Sequence, residues 1–234
     1  PPCFLLSGSS ARKLKRSRAN LLAGRALTYH LYPLTAAELG DKFSLLKALQ
    51  LGTLPSVYLE ESAQMARDRL RSYVEIYLKE EIELEAQLRN LGSFFHFLAI
   101  AASENGNVIN FSNIARETAI SYQTVKSYFQ ILEDTLIGNL LFPYQKSTRK
   151  RLAKHPKFYF FDTGVVRALT KKLSVPLEPK TPDYGRAFEH FVILEIMRQA
   201  DYQKLDYKFS YYRTEGGAEV DLIIETPKGE TIAI

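Results

Sequence analysis

Hydrophobic residues recur at spacings of three and four along much of the chain, and this spacing predicts amphipathic helices. The first predicted helix follows Thr35, with Glu38 as its capping-box partner, and ends at Gly52. A second helical pattern extends from Glu61 to about Leu88, with Glu and Arg on its polar face. The segment from Thr35 to about Leu88 is therefore predicted to be mainly helical.

Alternation of apolar and polar residues predicts strands near the start of the chain. Residues 3–8 are typical of a short buried strand, and Leu27, Tyr29 and Leu31 fall on one side of a second strand over residues 25–34. Pro33 is expected to close that second strand.

Residues 92–162 carry the pattern of a winged helix-turn-helix. An aromatic-faced helix over 93–106 is followed by a short helix, for which Ser112 is predicted as N-cap, and by a tight turn at Ala119 and Ile120. Ser121 is predicted to cap the next helix. The residues of that helix predicted to face inward are Val125, Phe129 and Leu132, and those predicted to face outward are Tyr122, Gln123, Lys126 and Gln130. We expect the outward face to meet a DNA major groove.

A hairpin is predicted directly after this helix. Its strands are residues 136–145 and 157–162, and the connecting tract is basic. The side chains expected to contact phosphates are Arg149, Lys150, Arg151 and Lys154. Protein docking is the alternative for this module, because the predicted recognition helix has one Lys, no Arg and an acidic end at Glu133 and Asp134.

The positions of the charged residues indicate a phosphate-binding surface more clearly than the net charge does. The 234 residues carry 31 Lys and Arg against 26 Asp and Glu, a net charge of +5. Residues 11–18 hold five Lys or Arg and residues 146–157 hold six, with no acid in either cluster. Two such clusters suit nucleic-acid phosphates, although any single cluster is more often part of a solvated surface.

The sequence also restricts the class of protein. No apolar run approaches the ~20 residues of a membrane-spanning helix, and no signal peptide opens the chain. Cys3 is the single cysteine, which excludes an internal disulfide framework and predicts a reducing, cytoplasmic location.

Acidic residues near the end of the chain interrupt otherwise apolar elements. The helix over 185–199 contains Glu189, with Phe188, Phe191, Val192, Leu194 and Ile196 as its predicted apolar face. In the strand that follows a Glu-Gly-Gly turn, alternation places Glu219 and Asp221 on one side. A carboxylate within such a strand is costly to bury unless it meets a metal or a cation. Glu189 and Asp221 are therefore candidate Mg²⁺ ligands, and a salt bridge from Arg213 to Asp221 is the alternative.

Taken in order, these segments resemble the rear part of prokaryotic AAA+-type P-loop ATPases, a part catalogued as a domain of unknown function. The resemblance rests on segments in one order along the chain: "FLLSGSSARKL", "GRALTYHLYPLTAAE", "GTLPSV", the winged helix, "KFYFFDTGV", "FEHFVILE" and "YYRTEGGAEVDLII". It implies an α+β multidomain fold with a truncated α/β domain like the PD-(D/E)xK restriction endonucleases. The implied parts are a remnant of the ATPase core over 1–34, a helical lid over 35–91, a winged helix over 92–162 and the endonuclease-like domain over 163–234.

The resemblance also implies functional residues. Ser7, Ser9 and Arg12 would sense the nucleotide, and the full-length parent would bind ATP and Mg²⁺. No G-x-x-x-x-G-K-[ST] motif occurs here, and the strand at 231–234 stops before a Glu-x-Lys that would complete a nuclease site. The chain is therefore expected to be truncated at both ends, and neither ATP nor a metal is expected to bind it firmly.

Three functions are compatible with this sequence. The first is an ATP-dependent protein that couples its nucleotide state to double-stranded DNA binding through the winged helix. The second is a Mg²⁺-dependent nuclease that uses Glu189 and Asp221. The third is a regulatory module without catalysis, in which the basic wing binds a protein partner.

Overall fold

The structure is a computed structural model, and it describes residues 27–78, 80, 91–145, 155–214 and 216–234. Within these residues the chain is a mixed α+β protein, which confirms the predicted class. The helices are α1 Ala36–Leu39, α2 Leu45–Leu51, α3 Pro55–Tyr58, α4 Ala63–Ser72, α5 Leu91–Ser103, α6 Phe111–Thr118, α7 Tyr122–Asp134, α8 Thr163–Leu169 and α9 Pro182–Tyr202. The strands are β1 Gly138–Leu141, β2 Lys157–Phe160, β3 Lys208–Arg213, β4 Glu219–Glu225 and β5 Thr231–Ala233.

The first helical segment begins as predicted but is divided. Thr35 and Glu38 form the full capping box, and Gly52 ends α2 with a φ of 73°. A 3-10 turn at Gly40–Lys42 separates α1 from α2, so the single helix predicted here is wrong. The strand predicted over 25–34 is also wrong within the described residues, because 27–34 form no ladder and Leu31 is 98% exposed.

The second helical pattern begins at α4 and continues into one π-helical segment, Tyr73–Tyr77. Ser62 caps α4 by accepting a hydrogen bond from the Met65 amide. The apolar face of α4 supplies Ala66 and Leu70 to a core shared with α2 and α8.

Helices α6 and α7 lie at the two predicted positions, with a short turn between them. Ala119, in the turn, adopts the left-handed conformation with a φ of 54°, and the Ser121 hydroxyl caps α7 through the Thr124 amide. The cap of α6 is Asn110 rather than the predicted Ser112, because the Asn110 side chain accepts the hydrogen bond from the Asn113 amide. Val125, Phe129 and Leu132 are buried, as the spacing predicts.

Two small antiparallel sheets complete the described fold. Strands β1 and β2 pair as the predicted hairpin, and β3, β4 and β5 form a separate sheet in that order. The hairpin reaches the second sheet through Tyr211 of β3. The Tyr211 amide donates to Phe142 O at 3.1 Å, and the Tyr144 amide donates to Tyr211 O at 2.6 Å. The wing and the C-terminal sheet are thus joined by main-chain hydrogen bonds.

Helix α8 packs against the helical segment formed by α2 and α4. Its Val165 shares a core with Leu51 and Leu70, although the sequence assigns residues 163–234 to the C-terminal domain. The Asp162 carboxylate caps α8 through the Val165 amide and also accepts the Thr53 amide at 2.7 Å. The four-domain division itself stays a prediction.

No helix in the described parts of the chain has both the length and the apolar character that crossing a membrane requires.

Candidate functional site

The four residues of α7 that were predicted to face outward are on the surface. Tyr122, Gln123, Lys126 and Gln130 are all exposed, as the helical spacing predicts. Helix α7 is held at its start by the Ser121 cap and along its length by the buried Val125 and Phe129, so the exposed face is presented on a packed element.

Lys126 lies in an aromatic cluster rather than extending freely into solvent. Its Nζ atom is 4.8 Å from the Tyr122 ring centre and 5.4 Å from the Phe111 ring centre. The His155 ring lies 5.7 Å from Phe111, at the base of the hairpin. Lys126 thus places a positive charge beside two aromatic rings on the surface of α7.

The other predicted phosphate contacts fall outside the described residues. These are Arg149, Lys150, Arg151 and Lys154, all within the 146–154 connection between β1 and β2. The predicted nucleotide-sensing residues Ser7, Ser9 and Arg12 also lie outside them. Both sets stay predictions.

Lys157, the last basic residue of the 146–157 tract, is buried at the start of β2. Its side chain is 4% exposed, so it is not a phosphate contact on the surface. Lys157 Nζ lies 2.6 Å from Glu219 Oε1. Glu189 Oε1 and Asp221 Oδ1 are each 3.4 Å from the same nitrogen. The two predicted metal ligands therefore meet at one point, and an ammonium group lies there.

Two tyrosines complete the surroundings of Lys157. The Tyr159 hydroxyl donates to Glu189 Oε1 at 2.7 Å, and the Tyr211 ring centre is 5.5 Å from Lys157 Nζ. Burial and the adjacent Glu189 carboxylate raise the pKa of Tyr159, so this hydroxyl remains a donor. Burial lowers the pKa of Lys157, but the hydrogen bond that its ammonium donates to Glu219 and the charges of the three carboxylates outweigh this effect and raise the pKa overall. Lys157 is therefore cationic at neutral pH.

The carboxylates around Lys157 come from helix α9 and strand β4. We call Lys157, Glu189, Glu219 and Asp221 the carboxylate cluster. Arg213 contacts its outer edge, with Nε 3.7 Å from Glu219 Oε2, so the predicted pairing of Arg213 with Asp221 is wrong. Phe188, predicted to be apolar and inward on α9, is 44% exposed beside this region of the helix, whereas Phe191 is 7% exposed.

The carboxylate cluster does not fit a divalent metal as it stands. Within the described residues no group of three or more His, Cys, Asp and Glu side chains is arranged to hold one. Glu189 and Asp221 converge, but Lys157 Nζ occupies the point between them. The metal role of this pair stays a prediction, and no catalytic step is derived from it.

A second polar group, fully buried, joins three parts of the fold. Arg198 of α9 donates through Nη1 to Thr53 Oγ1 at 3.2 Å and through Nη2 to Phe161 O. Burial raises the pKa of the Asp162 carboxyl, while the Thr53 amide and the nearby Arg198 charge act in the opposite direction. Arg198 thereby connects α9 to the end of β2 and to the loop after α2.

The segment before α1 also attaches to α9. The Tyr32 amide donates to the Tyr202 hydroxyl at 3.0 Å, and the Ala36 amide donates to Glu195 Oε1 at 2.9 Å. His30 Nδ1 lies 3.2 Å from Asp201 Oδ2. Residues 30–36 therefore lie along the last turns of α9, a contact that no local sequence pattern predicted.

Comparison with protein families places this arrangement in a family. A family model described as "Domain of unknown function (DUF8612)" matches residues 42–175, more than half of the chain. The chain belongs to the DUF8612 family. A second model, described as "Domain of unknown function (DUF4143)", matches residues 184–234. Lys157 lies in the DUF8612 match, and its three carboxylate partners lie in the DUF4143 match.

Uncharacterised bacterial proteins are similar to this DUF8612 chain. One from Mycobacterium tuberculosis and one from Mycobacterium bovis are each 25% identical over 228 residues, which is 96% of this chain and 50% of the relative. An uncharacterised protein from Haemophilus influenzae is 22% identical over 224 residues, 88% of this chain and 54% of the relative. The chain spans about half the length of the curated relatives it matches. No solved structure matches it.

Sequence reasoning missed Lys157 and Glu219 as members of the site. The neighbouring basic residues make Lys157 look like part of an exposed basic tract, yet it begins a strand whose four residues are all buried. The sequence does contain a signal for this burial, because Lys157 starts the apolar run "KFYFF", and a charged side chain at the start of a buried strand requires a partner of opposite charge.

Proposed function

We propose that this chain is the nucleic-acid-binding part of an ATP-dependent protein of the AAA+ type, and that α7 and the β1–β2 hairpin contact double-stranded DNA. The observation that carries the proposal is the exposed face of α7, with Lys126 beside Tyr122, followed directly by a hairpin whose connection is basic. A recognition helix followed by a cationic wing presents one surface to the groove and one to the phosphates.

Coupling to ATP would pass through the segment before α1. That segment is attached to α9 by Tyr32 and Ala36, so a movement of the preceding chain would reach the C-terminal helix. The curated relatives are about twice as long as the matched region, which gives them room for an ATPase domain. Ser7, Ser9 and Arg12 are the residues that we expect to report the bound nucleotide.

DNA binding can be tested by titrating random-sequence duplex DNA with the chain and following fluorescence anisotropy. The charge reversal Lys150→Glu/Arg151→Glu should weaken binding at least tenfold, because each phosphate contact contributes to counterion release. It should also reduce the slope of log affinity against log salt by about 2, one unit for each contact. Lys126→Ala should weaken binding without affecting folding, since Lys126 is exposed.

The matched control is Lys42→Glu/Lys228→Glu, an equal charge change at two exposed positions away from the wing. If both double variants weaken DNA binding equally, the effect comes from the change in net charge, and a specific contact by the hairpin connection is contradicted. Binding of an acidic protein partner, with no binding of duplex at low salt, would favour the regulatory function instead.

A further inference from the structure

We propose that the carboxylate cluster is a latch, in which the Lys157 ammonium of the hairpin takes the place of a cation in the C-terminal domain. Docking of the hairpin and binding of a divalent cation are then mutually exclusive. The proposal does not depend on nucleic-acid binding.

The first support is the seating of the lysine. A side chain that is 4% exposed reaches three carboxylates, and its shortest contact is 2.6 Å to Glu219. A buried lysine of this kind requires partners, since an unpaired ammonium is expensive to remove from water. The three carboxylates themselves keep part of their exposure, from 26% for Glu189 to 50% for Asp221. The lysine is thus enclosed, while the acids lie at a cleft that water can enter.

The second support is the direction of attachment. Lys157 begins β2, whereas Glu189 lies on α9 and Glu219 and Asp221 lie on β4. The residues directly after β1 make main-chain bonds to Tyr211, and the Tyr211 hydroxyl donates to His155 O, just before β2, at 2.7 Å. Both ends of the hairpin connection are therefore attached to β3 beside the strand that carries Glu219 and Asp221.

The third support is the balance of charge. Three carboxylates face one ammonium, with the Arg213 guanidinium at the outer edge of Glu219. Within the described residues the cluster retains excess negative charge, so a divalent ion would compete well if the lysine left. Removal of the lysine should therefore turn a latch into a cation site made of oxygen ligands, which Mg²⁺ and Mn²⁺ prefer.

The test compares melting temperatures of the intact chain in EDTA and in millimolar Mn²⁺. The wild type should show the same Tm in both. Lys157→Met should lower the Tm in EDTA by about 5 °C, because three carboxylates lose their cation. Mn²⁺ should raise the Tm of this variant by a similar amount, and Lys157→Met/Asp221→Asn should lose that response.

Two controls separate the latch from a general effect of charge. Lys157→Arg should behave as the wild type, because it restores the cation. Lys208→Met, which removes an exposed lysine from the same sheet, should change neither the Tm nor the response to Mn²⁺. A wild-type Tm that rises with Mn²⁺ as much as that of Lys157→Met would overturn the proposal, as would a Lys157→Met variant that folds but ignores Mn²⁺.

If Lys157→Met does not fold, the proposal can be tested on the wild type by limited acetylation. Mass spectrometry then measures the rate of acetylation at each lysine. A latched Lys157 should react at least tenfold more slowly than Lys208, and Glu219→Gln should speed its reaction. Equal rates for Lys157 and Lys208 in the wild type would overturn the proposal.

Discussion

His190 illustrates how a single buried residue makes the stability of the chain depend on pH. Its ring is 2% exposed, and Nε2 lies 2.5 Å from Phe160 O. Burial lowers the pKa of His190 from 6.5 to about 4, and the Arg198 charge acts in the same direction. The folded chain thus holds a neutral imidazole whose Nε2 donates to the carbonyl of β2.

Stability should fall as the pH falls from 6.5 towards 4. Over this window the unfolded chain binds a proton at His190 that the folded chain does not, and the loss is about 1.4 kcal/mol for each pH unit. His190→Gln should remove this part of the slope. Urea unfolding of both proteins between pH 6.5 and 4 measures the difference in the free energy of unfolding. The raised pKa of Asp162 contributes a pH dependence of opposite sign, but this contribution is the same in both proteins. If the free energy of unfolding depends on pH equally in the two proteins, the assignment of the slope to His190 is contradicted.

At the scale of elements, the approach of α8 to the end of α2 depends on two glycines. A Cβ atom added at Gly164 would lie 2.1 Å from Leu51 O, and one added at Gly52 would lie 1.9 Å from Asp162 Oδ1. Backbone meets backbone at this crossing, so α8 can pack on the helical segment only without a side chain at residue 164.

Gly164→Ala should destabilise the chain by about 3 kcal/mol or more, because neither of the two main chains can move aside. Gly185→Ala is the matched control, since residue 185 also lies in a helix and a Cβ there would have nothing within 4 Å. The control should stabilise the chain by about 0.5–1 kcal/mol, the usual gain in a helix interior. Thermal unfolding of both variants checks the prediction, and effects of the same sign would contradict it.

At the scale of the whole molecule, Arg198 holds three parts of the described chain together. Its guanidinium reaches Thr53 after α2 and Phe161 after β2, while Arg198 itself belongs to α9. Burial lowers the pKa of Arg198, and the Asp162 and Glu195 carboxylates oppose that shift. Loss of this one side chain would remove the donor to the Thr53 hydroxyl and the Phe161 carbonyl, and it would also remove the positive charge that lowers the pKa of the buried Asp162 carboxyl.

Arg198→Met should therefore lower the free energy of unfolding by about 2–4 kcal/mol, because the Thr53 hydroxyl and the Phe161 carbonyl each lose a buried hydrogen-bond donor. Arg186→Met provides the control, because Arg186 pairs only with the exposed Asp183 on the same helix face, and it should change stability by less than about 0.5 kcal/mol. Urea unfolding followed by circular dichroism measures both. A loss for Arg198→Met no larger than for Arg186→Met would contradict its role as a connector.

The sequence by itself determined the features that depend on near neighbours. The Thr35 capping box, the Ser121 cap and the tight turn at Ala119 and Ile120 are each settled by residues a few positions apart. The β1–β2 hairpin joins two strands that follow one another along the chain. Local rules were insufficient where two caps competed, as with Asn110 and Ser112, and where an apolar alternation had no neighbouring strand to pair with, as in residues 27–34.

Only the tertiary structure decided which charges meet. Lys157 and Asp221 are 64 positions apart, and Arg198 and Thr53 are 145 apart, so no local spacing could indicate either contact. The sequence identified Glu189 and Asp221 as unusual because carboxylates in apolar elements require a partner. The identity of that partner depended on the packing of the hairpin against α9 and β4, because electrostatic contacts follow distance in space and not distance along the chain.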